Sequence, residues 1–347
     1  METIMTSPKD SDRTTPFGKQ AKQRIKTFIK QTLLPKSFRR PTDKDISAVY
    51  VRLLARMPQA DELLHWTISG TRIDDITNAL ILSYEYEQKK LNQQRVLVDV
   101  DDFKIYAMFS DAEVGRGIIQ TKSHESHVTN AVKEVLKMGD VFIDLGANIG
   151  FFSLLAASIV QDSGKVISFE PNIQNLQLFY ASIFENMFKN ITVYPFAASN
   201  NAQILKLTSF GSNGFIETPQ SSDTNAQFLQ SVVVDHLLQN QDNVSVIKMD
   251  IEGYEPLALQ GMKNIIKKFK PIVITEFSPW HIRHRTQTDP EDYLKQLTNQ
   301  GYVLGIIGLS GGPSATSDTG SIMSYWNSLN NDKQHLDLIA RPHTINR

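Results

Sequence analysis

The chain has 347 residues, with 36 Lys and Arg against 37 Asp and Glu, a length that predicts about two domains, each able to bury a core. Hydrophobic residues at 41% and charged residues at 21% are ordinary for a globular protein, and no apolar run approaches the roughly 18 residues of a membrane-spanning helix. The absence of cysteine excludes disulfides, thiolate catalysis and Cys-ligated zinc, and without the apolar core of a secretory signal a cytoplasmic setting is expected.

Residues 1–40 form a basic leader. Arg13 to Arg40 holds nine Lys or Arg and no acid, so 27 basic residues face 37 acidic ones elsewhere. Ile25, Phe28, Ile29 and Leu33 stand at helix-like spacing among the lysines. The leader is expected either to be flexible and solvated or to lie as an amphipathic segment on a protein partner or on the inner membrane face.

Residues 41–92 read as a small all-helical module. Ile46, Val49, Tyr50, Leu53 and Leu54 share one helical face, Asp61 opens a second helix through Leu64 and Trp66, and Ile73 to Tyr86 makes a third. Three such helices are expected to bury Trp66 between them.

Residues 93–347 read as a single α/β domain. Val96–Val100 and Lys104–Phe109 alternate as a strand pair ahead of it. From Val141, short apolar runs separated by helix-length segments predict a Rossmann-like, doubly wound sheet with helices on both faces. Its strands are Val141–Leu145, Val166–Phe169, Ile191–Ala197, Val246–Met249, Ile272–Phe277, Tyr302–Ile307 and Leu336–Ala340. Gln203–Leu207 and Ser231–Val234 are expected to add a peripheral hairpin.

The predicted chemistry lies at the carboxyl ends of these strands, where open parallel sheets bind ligands. The first strand ends in Asp144-Leu-Gly-Ala-Asn-Ile-Gly150. Gly146 and Gly150 allow a tight strand-to-helix turn and close backbone approach, with Asn148 between them. No third glycine completes a nicotinamide-type G-x-G-x-x-G, which weakens a nicotinamide-dependent oxidoreductase as the rival function. A zwitterion such as the methionine end of S-adenosylmethionine asks instead for backbone N–H groups and an acid near its ammonium, which the Gly146 loop and Asp144 supply.

Glu170, followed by Pro171, ends the second strand 26 positions after Asp144 and can accept hydrogen bonds from both ribose hydroxyls of a cofactor. Ala198 and Ser199, at the end of the third, are candidates for an adenine edge. Strand alternation sends Lys248, Asp250 and Glu252 the same way. Such carboxylates share a proton, pair with the lysine or bind a cation. Glu276 ends the fifth strand.

His124 and His127 flank Glu125 and are expected to close over a cofactor, while His281, Arg283 and His284 lie in the expected acceptor loop. No compact His/acid spacing predicts a structural metal. The acidic balance after Arg40 argues against nucleic acid as a partner.

The blocks Gly139-Asp-Val-Phe-Ile-Asp-Leu-Gly-Ala-Asn-Ile-Gly-Phe-Phe, Gly164-Lys-Val-Ile-Ser-Phe-Glu-Pro-Asn and Lys248-Met-Asp-Ile-Glu-Gly-Tyr-Glu resemble the FkbM methyltransferase family from about 124 to 277. Glu125, Ser212-Asn-Gly, Gly261 and Pro271-Ile-Val-Ile-Thr-Glu276 also fit its pattern. The resemblance implies a seven-stranded class I methyltransferase fold and S-adenosyl-L-methionine as donor. It also implies a small-molecule or glycan acceptor, most often a hydroxyl of a sugar or secondary metabolite. Asp250 is then the first candidate for general base, with Glu252 and Glu276 as alternatives. The helical module, through Ala48-Val-Tyr-Val-Arg-Leu-Leu-Ala-Arg-Met-Pro-Gln-Ala-Asp and Leu64-His-Trp, resembles a short bacterial domain of unknown function. Nucleic-acid modification is the second rival, and a non-catalytic cofactor-binding scaffold working through this module is the third.

Overall fold

A computed structural model describes residues 41–86, 94–220, 223, 226–308, 315–329, 331 and 334–343; the expectations for the leader lie outside them. The chain divides into two compact units, Met1–Lys89 and Lys90–Arg347.

In the first unit, helix α1 spans Asp43–Leu54. Thr42 caps it reciprocally with Asp45, and the left-handed Ala55 ends it. Ile46, Val49, Tyr50, Leu53 and Leu54 form its buried face and pack with Ile76 and Leu80 of α3, Ile73–Ile81. Helix α2, Ala60–Ser69, buries none of its residues fully. Trp66 is therefore half-buried at the rim of this small core, donating its indole N–H to the Tyr50 hydroxyl at 2.9 Å, rather than enclosed as expected. The third helix stops at Ile81, five residues short of the expected Tyr86. There the Ser83 hydroxyl donates to the Leu80 carbonyl and accepts from the Tyr86 N–H, a local alternative to helical bonding.

In the second unit, β1 (Arg95–Val100) and β2 (Phe103–Met108) form the expected antiparallel pair. Helices α4 (Gly115–Thr121) and α5 (Ser126–Val135) follow. The main sheet takes β3 (Val141–Leu145), β4 (Lys165–Phe169), β5 (Ile191–Tyr194), β10 (Val246–Met249), β11 (Ile272–Phe277), β12 (Tyr302–Ile307) and β13 (Leu336–Pro342), in the order β12-β13-β11-β10-β3-β4-β5.

Alternation along each strand feeds two apolar layers. Ile143, Leu145, Ile247 and Met249 face one, together with Tyr293 and Trp326. Phe142, Val166, Val246 and Ile274 face the other, with Leu154 and Phe179. The first layer carries α8 (Val234–Leu237), α9 (Glu255–Gln260), α10 (Lys263–Phe269), α11 (Pro279–Thr286), α12 (Pro290–Thr298) and α13 (Thr319–Ser328). The second carries α6 (Phe151–Val160) and α7 (Ile173–Asn186).

Three expectations change. First, the sheet is mixed, because β13 runs antiparallel to both β11 and β12; a short apolar run reads the same in either direction. Second, the run Ile191–Ala197 is two strands. Pro195 lacks the N–H that continued pairing needs, so β5 stops at Tyr194 and β6 (Ala197–Ser199) enters a second sheet. Third, that sheet has the order β6-β9-β7-β8. Within it β7 (Ile204–Phe210) does pair with β9 (Gln227–Val233), but its tight-hairpin partner is β8 (Asn213–Glu217), which the reading of the sequence missed.

Candidate active site

A cavity of about 470 Å³ opens at the carboxyl edge of the main sheet, within the range of small-molecule sites. It is lined by the segments after β3, β4, β5, β10 and β11, by the start of α5, the segment through Glu113 and Val114, the N-terminal end of β13 and the β7–β8 hairpin.

On the β3 side, the Gly146 and Ala147 N–H groups donate to the Phe169 carbonyl at 2.9 and 3.0 Å, closing the turn over the neighbouring strand. Gly146 has φ +81°, and a Cβ there would stand 1.9 Å from the Asp250 carbonyl oxygen. Gly150 (φ +96°) serves packing: a Cβ would strike the Phe179 ring of α7 at 2.1 Å. It does not line the cavity, whereas Gly146, Ala147, Asn148 and Ile149 do.

Asp144 is fully buried behind the wall. Its Oδ2 accepts from the Ser153 hydroxyl at 2.6 Å, and Oδ1 has no partner among the described residues. Burial pushes this carboxyl up, against the pull of Lys248.

Glu170 lines the cavity while only 5% exposed. Its Oε2 accepts from the Asn148 N–H at 2.8 Å, and its Oε1 accepts from the Asn172 N–H at 2.8 Å and the Asn175 amide at 3.2 Å. Burial lifts its carboxyl to about 7. Pro171, Ala198 and Phe196 also line the cavity; Ser199, buried inside β6, does not.

The other wall is a charge cluster. Lys248 is 3% exposed, with Nζ 3.1 Å from Asp250 Oδ2 and 4.5 Å from the Phe152 ring centre. Burial disfavours its charge, but Asp250 and Asp144 outweigh that and hold the ammonium protonated. Burial likewise opposes charge on Asp250, yet Lys248 draws its carboxyl down to about 2. Burial, then the charge of Asp250, drives Glu276 well above the ordinary range. Of the expected arrangements, the cluster contains the pairing of a carboxylate with the lysine, Asp250 with Lys248.

Glu252, in a left-handed turn at φ +57°, is lifted to about 7 by burial and then by Asp250, with Arg285 opposing. Its Oε2 lies 3.3 Å from His281 Nδ1 and 3.6 Å from Arg285 Nη1, and Arg285 also donates to its backbone carbonyl. The Arg285 guanidinium stacks 4.2 Å from the Phe215 ring centre. Burial, then Arg285, lowers His281 to about 4, leaving the ring neutral near pH 7.

Glu125, at the start of α5, also lines the cavity, lifted to about 7 by burial and Asp250. His124 beside it is lowered to about 4 by burial and Lys248. His127 does not line the cavity but bonds to Asp337 Oδ2, at 2.6 Å, which does. Arg283 and His284 do not line the cavity, and His284 stacks on Trp280 with centroids 4.1 Å apart.

Further lining residues include Arg285, Asn175, His335 and Asp337, beside Ser212 and Asn213 of the Ser212-Asn-Gly block. Arg285 carried a signal, since it follows the pocket residue His281 by four positions on α11. Asp337 carried none. It reaches this edge only because β13 is antiparallel, so that its N-terminal end pairs with Glu276. Among the described residues no three His, Asp or Glu converge as metal ligands, and no helix is long and apolar enough to cross a membrane.

Residues 144–304 match the family described as Methyltransferase FkbM domain. Among solved structures, the chain is similar to methyltransferase FkbM from Methylobacillus flagellatus KT at 17% identity and TM-score 0.38, covering 84% of this chain and 58% of that one. It thus spans under two thirds of that protein's length. A putative rRNA methylase from Clostridium thermocellum is similar at 10% identity and TM-score 0.39, covering 62% and 94%. Aeropyrum pernix fibrillarin, solved with natively bound S-adenosyl-L-methionine, is similar at 10% identity and TM-score 0.37, covering 72% and 83%. No curated protein matches the sequence.

Proposed function

We propose that the chain transfers a methyl group from S-adenosyl-L-methionine to a hydroxyl of a sugar, glycan or secondary-metabolite acceptor, a reading supported by the match of residues 144–304 to the methyltransferase FkbM domain. The observation that carries this reading is Glu170, a carboxylate facing the cavity at the end of β4, directly beside the Gly146–Asn148 turn. A carboxylate offers about four acceptor sites, and three hydrogen bonds reach this one, two on Oε1 and one on Oε2. Capacity remains on Oε2 for a ribose hydroxyl.

Gly146 to Ile149 would hold the amino-acid end of the donor, with Asp144 acting from behind the wall. Phe196 and Ala198 would hold the adenine, without Ser199. When bound, the donor supplies an electrophilic methyl on a sulfonium, so the protein's remaining task is to place the acceptor oxygen in line and take its proton. Asp250, held near 2 beside Lys248, is too weak a base and serves to fix the lysine and the charge of the wall. Glu252, near 7 and reinforced by His281 and Arg285, is the general base. Glu276 keeps its proton and donates to Asp250.

A nucleic-acid acceptor fits poorly. Glu113, Asp250, Glu252, Glu276 and Asp337 share the cavity, and its two strong cations, Lys248 and Arg285, are already paired with Asp250 and Glu252, whereas a phosphate backbone needs free basic groups.

Calorimetric titration with S-adenosylhomocysteine and with NAD tests the donor. Binding of the first alone is expected; binding of NAD, or of neither, overturns the reading in favour of oxidoreductase or non-catalytic roles.

The leader serves to hold a cytoplasmic enzyme at an anionic surface, on the strength of the nine basic residues from Arg13 to Arg40, a stretch without an acid. Sedimentation with phosphatidylserine vesicles checks this. The full chain is expected to pellet at low salt and be released at high salt, and the chain lacking residues 1–40 to stay in solution. Equal pelleting of both sinks the idea.

A further inference from the structure

A surface helix ordinarily turns its polar side chains to water and its apolar ones to the core. Helix α7 departs from this on both faces. Inward, the buried Asn175 amide donates to Glu170 Oε1 at 3.2 Å, and the buried Ser182 hydroxyl accepts from the Tyr106 N–H at 2.9 Å. Outward, Ile173 is 61% exposed, Tyr180 49% and Phe184 84%, and Met187, which caps the helix, is 81% exposed. The other exposed residues of the helix are Gln174 and Gln177, so its solvent side bears no charge. Glu185, the one charged residue of α7, stands at the flank and pairs with Lys104 at 3.7 Å.

The spacing within this stripe points to its occupant. Ile173, Gln177, Tyr180, Phe184 and Met187 follow one another at steps of four, three, four and three. That is the repeat of a coiled-coil seam, with Ile173, Tyr180 and Met187 at d and Gln177 and Phe184 at a. Two copies laid antiparallel about a two-fold axis between Leu178 and Phe179 set every a position against a d position. Ile173 then meets Phe184 of the partner subunit, and Gln177 meets Tyr180 of the partner subunit. Apolar faces apolar in the outer layers, and an amide faces a phenol in the inner ones, donor to acceptor. Sliding the register by one heptad would set Gln177 against Met187 of the partner subunit and bury the amide without a good partner.

We propose that the outward face of α7 is a homodimer interface, in which two copies of this chain pack antiparallel through Ile173, Gln177, Tyr180 and Phe184, with Met187 at the rim. An uncharged stripe meets its own copy without repulsion. An anionic lipid surface would instead favour unpaired basic residues beside the apolar face, and the flank here holds the neutral Lys104–Glu185 pair. The four apolar side chains at these exposures offer roughly 500 Å² per copy, under the about 800 Å² of a standard interface, so the dimer is reversible. The seam starts one residue after Asn172, whose N–H donates to Glu170 Oε1 at 2.8 Å, so the partner rests on the helix whose start positions that carboxylate.

The test is sedimentation equilibrium of the full chain over a range of concentrations. The wild type is expected to dimerise reversibly. Phe184→Glu and Ile173→Lys each set a charge against an apolar residue in both outer layers, and each is expected to raise the dimer dissociation constant at least about 100-fold. Both positions are exposed, so both variants should keep the wild-type circular dichroism. Mixed one to one, the two variants are expected to dimerise again. In the mixed pair the new acid faces the new base in one outer layer, while the other layer keeps Ile173 against Phe184. A parallel seam, or a patch for a lipid or an unrelated protein, gives no such rescue. A wild type that is monomeric across the whole range, variants that associate as the wild type does, or a mixture that stays monomeric each overturns the inference. None of these outcomes bears on the donor reading.

Discussion

Glu252→Gln is expected to lower kcat/KM for methyl transfer by about 10²- to 10⁴-fold, the usual contribution of a positioned general base. The substitution keeps the size of the side chain and removes only its basicity. Glu252 is lifted to about 7, chiefly by burial and then by Asp250, and a base works only when unprotonated. At saturating donor, where the titration of Glu170 no longer limits binding, the rate should therefore climb as pH rises through about 7 and level off above it, and the variant should lose this acid limb.

Two neighbours make the result discriminating. His281 also lines the cavity, but it sits near 4, so a histidine base would place the limb near pH 4. Asp250, near 2, would show no limb in the working range. The measurement is initial rate of labelled methyl transfer to an acceptor found by screening hydroxylated compounds, from pH 4 to 9. A full rate in Glu252→Gln with an intact limb near 7 removes Glu252 from the chemistry.

Glu170→Ala is expected to weaken S-adenosylhomocysteine binding by about 10³-fold, corresponding to charge-assisted hydrogen bonds worth about 1.5–3 kcal/mol each. The loss has two sources. The donor forfeits its ribose contact, and the Asn148 and Asn172 N–H groups lose the acceptor that holds the β3 turn to the start of α7. Glu170→Gln separates them, because its amide keeps one acceptor oxygen but turns a donor toward one of these N–H groups or the ribose, and an intermediate loss is expected.

The pH dependence carries a definite sign. Burial lifts Glu170 to about 7 in the free protein, and ribose hydroxyls prefer to donate to the ionised form. Binding should therefore strengthen as pH rises through about 7, and should be accompanied by proton release below it. Calorimetry in buffers of differing ionisation enthalpy reads that proton directly. Wild-type affinity in Glu170→Ala would place the donor elsewhere in the cavity and undo the assignment of the β4 end.

The legible part of the fold was what local periodicity and turn chemistry carry. Runs such as Phe142-Ile-Asp-Leu and Val246-Ile-Lys-Met are short, apolar and bounded by turn residues, so the seven main strands could be placed within a few residues of their observed ends. Less legible was whatever depends on a partner segment. Gly150 looked like a cofactor residue because glycine after a strand often is one; that Phe179 fills the space beside it became visible only once α7 packed. Likewise Ser199 was read as the end of a long third strand, and Pro195 moved it into a second sheet where its side chain is enclosed.

By itself, the amino-acid order determined the helical module ahead of an α/β domain, the turn chemistry at Gly146, and the presence of Glu170, Lys248, Asp250, Glu252 and Glu276 at successive strand ends, because strand alternation and strand-to-helix turns are local properties. Only the tertiary structure decided which of these acids keeps its proton and which its charge. That choice depends on burial and on the distance to Lys248 and Arg285, quantities that arise when strands distant in sequence lie side by side. The same holds for Asp337, delivered to this edge by an antiparallel strand.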